Sequence, residues 1–158
     1  MRSIDTNLLV RVVTRDHPKV ADKIIDYLAA GGEFFVPVTV AFELESVLRC
    51  VYKIKRTDVL VAFNALLSNG ALVFEFEFEF EFEFEFEFEF EFEFEFEFEF
   101  EFEAEVEVEA ALDTMTNTKA GFPDALHVLL AARLKHIPFV TLDKAGSKLL
   151  GAERLVFA

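Results

Sequence analysis

With 158 residues and 30 Asp+Glu against 15 Lys+Arg, the chain has a formal charge of −15. Phe-Glu repeats fifteen times from Phe74 to Glu103, which accounts for 15 of the 22 Phe and half of the acids, so the rest of the chain is neutral and net charge names no partner. Cys50 is the only cysteine, which excludes an internal disulfide and points to a reducing compartment, and no apolar run approaches the ~18 residues of a membrane span.

In chain order, Arg2–Ile4 reads as the end of a short strand that stops at Asp5. Leu8–Val13 suits either a short helix or a continuation of that strand. Pro18–Ala30 places Val20, Ile24, Ile25 and Leu28 at helical spacing, and Gly31-Gly32 ends it. Phe34–Val38 is apolar throughout, as a buried strand is. Val40–Tyr52 carries Val40, Leu44, Val47, Leu48 and Val51 on one stripe, and Thr57–Leu67 is a further helix closed by Ser68-Asn69-Gly70. Ala71–Phe74 is a strand that runs straight into the repeat. Beyond the repeat, Ala104–Met115 returns to helix formers, although Glu-Val alternation persists to Glu109. Pro123 suits the first turn of a helix reaching about Lys135. Pro138–Leu142 reads as a strand, Lys144–Leu150 as a short helix and Arg154–Phe157 as a last strand.

Strands separated by helices imply parallel pairing, right-handed crossovers and an α/β fold, a three-layer α/β/α sandwich around a central parallel sheet. The domain expected is single, 1–158, with an insertion at 74–103; about 128 residues outside the insertion suffice for a core. The N-terminus lacks a signal-peptide cleavage pattern, so the expected location is cytoplasmic, with no membrane partner.

Ligands in such sheets sit at the carboxyl ends of the strands, and four acids fall there. Asp5 follows the first strand and Asp143 the strand PFVTL. Glu43 lies near the start of the helix after FFVPV, and Asp124 in the first turn opened by Pro123. Taken singly, Asp124 is a helix cap, Glu43 a solvated helix residue, and Asp5 and Asp143 ordinary strand-end acids. Together they crowd like charges onto one edge, which a cation would neutralise, and oxygen donors at this density suit Mg²⁺ or Mn²⁺. Glu45 rivals Glu43, but two residues along a helix turn about 200°, so both cannot face one site. His127 shares a helix face with Asp124 and reads first as a packed or capping residue. Arg11 and Arg49 are candidate phosphate contacts, each also suited to a surface salt bridge.

The segments IDTNLLVRV, VTVAFELESVLR, GFPDALHVLLAARL and FVTLDKAGSKL resemble successive motifs of the PIN domain family, especially VapC-type toxins of bacterial toxin–antitoxin pairs. The resemblance covers Met1 to about Phe74 and Ala104 onward. It implies a ribonuclease whose divalent metal is held by Asp5, Glu43, Asp124 and Asp143, with Asn7 and Thr141 supporting the acids by hydrogen bonds. It favours Glu43 over Glu45, and implies an RNA substrate, an antitoxin partner and a homodimer. The alternatives are a metal-dependent nuclease or phosphatase acting on another substrate, such as DNA, and a designed or self-assembling scaffold with an inactive site.

The repeat itself is a strand pattern, with every Phe on one face and every Glu on the other. Thirty residues at ~3.3 Å each make about 100 Å, far beyond the ~14 Å radius of gyration of such a domain, and the tract holds no turn residue. It is expected to form a protruding ribbon, a disordered charged loop or an intermolecular sheet that acidification promotes. Its fifteen Glu, leaving a strand at the acid-bearing edge, are expected to repel RNA, so deleting 76–103 should preserve the fold and strengthen RNA binding.

Overall fold

The computed structural model describes residues 1–75 and 105–157. The repeat from 76 to 103 lies outside the described residues, and with it the ribbon, loop and assembly expectations. Within them the chain runs β1 (Arg2–Ile4), α1 (Thr6–Thr14), α2 (Pro18–Ala30), β2 (Phe34–Val36), α3 (Val38–Cys50), α4 (Arg56–Leu67) and β3 (Leu72–Phe74). It continues with α5 (Glu105–Asn117), α6 (Phe122–Arg133), β4 (Phe139–Thr141), a 3-10 turn at Gly146–Lys148 and β5 (Ala152–Arg154).

The fold is α/β: one five-stranded sheet in the order β3-β2-β1-β4-β5, every neighbouring pair parallel, with six helices, compatible with an α/β sandwich. Parallel strands joined by helices are covered on both faces, and β2 and β4 are apolar almost throughout, while β1 sets Ile4 beside Arg2 and a buried Ser3. Ile4, Phe34, Val36, Phe139 and Val140 are accordingly almost or wholly inaccessible. They meet Leu8, Leu9, Ile24, Val40, Leu44 and Leu48 from the helices in one core. No helix among the described residues is long and apolar enough to cross a membrane.

The open choice at Leu8–Val13 falls to helix, because Asp5 leaves the strand extended and Thr6 begins the helical turn; Arg15 in the left-handed region ends it. Gly31 must be small as well as a stop, since a Cβ there would lie 2.6 Å from the Phe34 ring. Pro37 stops β2 at Val36 and opens α3 at Val38, two residues earlier than the apolar stripe indicates.

Two expectations at the C-terminal end are corrected. The Lys144–Leu150 helix is only a 3-10 turn at Gly146–Lys148, because the Asp143 carboxylate takes the Ala145 and Gly146 N–H groups and Leu149 is already extended. The last strand is Ala152–Arg154 rather than Arg154–Phe157. Gly151, at φ +93°, turns the chain onto β4 so that its carbonyl accepts from Phe139 N–H, and the ladder starts at once. Leu155 and Phe157 pack against the core beyond the strand. Leu155 still donates its N–H to the Thr141 carbonyl at 2.9 Å, so the pairing ends there while the apolar side chains serve packing.

Candidate functional site

Because all five strands are parallel, their carboxyl ends share one edge, and the elements that leave it bring the predicted acids there. Asp5 is the hinge between β1 and α1, and Glu43 lies in the second turn of α3. Asp124 occupies the first turn of α6, and Asp143 follows β4 by two residues. At the neighbouring strand end, Glu75 closes β3 with a hydrogen bond from its N–H to the Val36 carbonyl. Its carboxylate accepts from Val38 N–H at 2.8 Å, capping the helix that carries Glu43.

Asp5 is buried and held from two sides. Its carboxylate accepts from Asn7 Nδ2 and from the Thr141 hydroxyl. Asn7 also donates to Thr141 Oγ1 at 3.0 Å and accepts from Leu142 N–H, and Asp143 N–H donates to the same threonine oxygen at 2.9 Å. The supporting roles foreseen for Asn7 and Thr141 are thus hydrogen bonds that tie the start of α1 to the end of β4. Burial pushes the Asp5 carboxyl up to about 7; the Thr141 hydrogen bond opposes this, and the charges of Asp124 and Glu43 add to it.

Glu43 faces the same point. Its Oε2 accepts from Thr6 Oγ1 at 2.6 Å and lies 3.9 Å from Nδ1 of His127, which is only 3% exposed. Burial lowers the His127 pKa to about 4 against the pull of Asp124, so at neutral pH the ring is uncharged and the 3.9 Å approach is not an ion pair. Glu45 points elsewhere, accepting from Arg49 at 2.7 Å on the exposed face, so the two glutamates separate as the helical turn requires.

Asp124 and Asp143 are held differently. Asp124 accepts from Gly121 N–H at 3.1 Å, capping its own helix, and its pKa is raised by burial first and then by the charges of Asp143 and Glu43. Asp143 Oδ2 accepts from the N–H groups of Ala145 and Gly146, both at 2.6 Å. Among the described residues, the donor atoms that lie within 4.8 Å of one another belong to Asp5, Glu43 and His127. Asp124 acts on Asp5 and His127 of that group through charge, and Asp143 acts in turn on Asp124.

Arg11 is engaged with Asp16, which also accepts from Tyr52 at 2.8 Å, and Arg49 is engaged with Glu45, so both basic candidates sit in ion pairs. Beside the acids runs a cleft of about 550 Å³ walled by Val38, Phe42, Phe122, Pro123 and Leu126, with Glu43 and His127 among its lining residues.

Sequence reasoning passed over Thr6 and ranked His127 low. The signal for Thr6 was its place next to Asp5 at a helix start. For His127 it was the three-residue step from Asp124. As a donor set, two carboxylates and a neutral imidazole whose Nδ1 is buried without a hydrogen-bond partner fit a divalent cation. No family model and no curated protein matches this chain.

Proposed function

We propose that the chain is a divalent-metal-dependent endoribonuclease of the PIN type, a three-layer α/β/α domain akin to the toxin of a type II toxin–antitoxin pair. The observation that carries the reading is the environment of Asp5. A carboxylate buried at the end of a central strand, with two further acids raising its pKa, is an arrangement that a cation relieves.

Asp5 and Glu43 would hold Mg²⁺ or Mn²⁺, with Asp124 and Asp143 completing the negative site. Such an ion, when bound, supplies an activated water and neutralises charge developing on a phosphodiester. The protein's own work is positional. Asn7 and Thr141 fix the Asp5 carboxylate, and Thr6 fixes that of Glu43. The local caps on Asp124 and Asp143 keep those acids at the rim of the same edge. The apolar cleft next to Glu43 offers the exposed ring of Phe42 as a surface on which an unpaired base can stack. A cytoplasmic location, an antitoxin partner and a homodimer belong to the same reading.

The test is cleavage of single-stranded RNA and of DNA with Mg²⁺, with Mn²⁺ and with chelator, parent beside Asp5→Ala. The reading expects metal-dependent RNA cleavage that Asp5→Ala abolishes while the folded spectrum is retained. DNA cleavage in place of RNA would keep the metal site and change the substrate. Equal cleavage by parent and variant would sink the mechanism.

A further inference from the structure

We propose that His127 Nδ1 is a direct ligand of the cation, giving the site a mixed oxygen–nitrogen donor set that favours Mn²⁺ and Co²⁺ over Mg²⁺. This rests on the metal-site reading above and adds to it a residue outside the acidic set.

Three observations converge on that nitrogen. Nδ1 belongs to a side chain only 3% exposed and has no hydrogen-bond partner. A ring nitrogen left so is a cost the fold would shed unless something else uses it. That nitrogen also faces the acids, with Glu43 Oε2 at 3.9 Å. In metal-binding histidines the nitrogen that faces the ion is kept free of other partners, and surrounding groups hold the ring.

The geometry agrees. Nδ1 is 3.9 Å from Glu43 Oε2, and a ligand oxygen of Asp5 completes a group whose members lie within 4.8 Å of one another. Two donors each about 2.1 Å from one ion stand roughly 3–4 Å apart, so a single cation fits between imidazole and carboxylate. Both carboxylates are already oriented, Glu43 by Thr6 and Asp5 by Asn7 and Thr141. His127 is held by its burial in α6 against Phe139 of β4, with ring centroids 5.8 Å apart. Mg²⁺ prefers oxygen and keeps its waters, whereas imidazole suits the later divalent ions.

The experiment needs no turnover. The full chain, labelled with ¹⁵N-histidine, is loaded with Mn²⁺ and examined by pulsed electron paramagnetic resonance. Calorimetric titrations with Mg²⁺, Mn²⁺ and Co²⁺ follow on the parent and on His127→Gln and His127→Ala. The expected result is a histidine nitrogen coupling that survives substitution of the other two histidines, His17→Gln and His136→Gln, and disappears in His127→Gln. With it should come a loss of about 10- to 100-fold in Co²⁺ and Mn²⁺ affinity and less than about threefold in Mg²⁺ affinity. Mn²⁺ that binds with oxygen ligands alone would overturn this inference and leave the acidic metal site standing. A folded parent that binds none of the three ions would overturn both. Where His127→Gln fails to fold, a coupling that persists in both His17→Gln and His136→Gln assigns the nitrogen to His127.

Discussion

The two halves of the acidic edge are built on different plans. On the Asp5 and Glu43 side, each carboxylate is gripped by side chains from distant segments: Thr141 reaches Asp5 across 136 positions and Thr6 reaches Glu43 across 37. On the Asp124 and Asp143 side, each carboxylate closes on backbone N–H groups within three residues of itself. The first pair therefore exists only when the whole sheet has formed, while the second forms with its own turn. Long-range hydrogen bonds fix an atom in the frame of the fold, and local caps fix it in the frame of a loop. This assigns the demanding positional work to the first half and charge supply to the second.

Asp5→Ala against Asp143→Ala is the most severe way to break this contrast. Asp5→Ala should lower RNA cleavage by more than ~1,000-fold, on the order of 4 kcal/mol at the transition state. Asp143→Ala should cost nearer ~10-fold, because its carboxylate is committed to its own loop. Equal losses in a single-turnover assay would mean that the two halves are chemically equivalent and differ only in scaffolding.

Stability against pH tests the burial of Asp5 directly. In metal-free protein the folded Asp5 keeps its proton up to about pH 7, whereas the unfolded chain releases it near the ordinary carboxyl value of 3.8. Between those values the folded state binds more protons, so stability falls as pH rises from about 4 to 7 and is highest on the acid side of that window. The gap between 3.8 and about 7 corresponds to as much as roughly 4 kcal/mol. Urea unfolding at pH 5 and pH 8 in chelator should show about two-thirds of this loss in the parent. Asp5→Asn, neutral throughout, should flatten it. A slope unchanged in Asp5→Asn would place the titration elsewhere.

Smaller effects are expected from the residues that orient Asp5. Thr141→Val removes the hydroxyl that Asp5, Asn7 and the Asp143 N–H all use, leaving buried polar groups unpaired at about 1–3 kcal/mol. Cleavage should fall ~10- to 100-fold, and Asn7→Ala should follow it. Thermal unfolding and cleavage rates measured together separate a positioning loss from simple destabilisation. A variant that loses stability and keeps its rate would show that the network serves the fold alone.

How much of this was legible in the sequence follows the same division. Apolar runs placed β2 and β4 and the parallel α/β plan, because burial on both faces leaves a mark in nearly every residue of those strands, while β1 was placed from Ile4 and its stop at Asp5. The acids were legible as strand-end residues whose joint placement at one edge singled them out, and the PIN resemblance added the choice of Glu43 over Glu45. Which of Glu43 and Glu45 faces inward was not legible from spacing, since that depends on the rotation at which α3 settles against α1 and on Pro37 starting the helix early. Thr6 and His127 were obscured for a related reason: their partners are 37 and 84 positions away, or absent. The last strand was misplaced because apolar Leu155–Phe157 outweighed Gly151 on the page, while in the fold the turn decides where pairing begins.

The finest test lies at Gly146, where the two locally held acids meet. Its N–H donates to Asp143, and a Cβ added to it would stand 3.4 Å from Cβ and Cγ of Asp124. Its φ is not in the left-handed region, so alanine brings no backbone strain, and 3.4 Å is an ordinary contact for carbon. If the two acids are independent caps, Gly146→Ala should shift stability by no more than about 0.5 kcal/mol and leave metal affinity nearly unchanged. A larger loss of affinity, with Asp143's turn still formed, would mean that Asp124 has no room to yield. The local half would then be as tightly specified as the half built from long-range bonds, and the contrast between them would fail at the point where it is weakest.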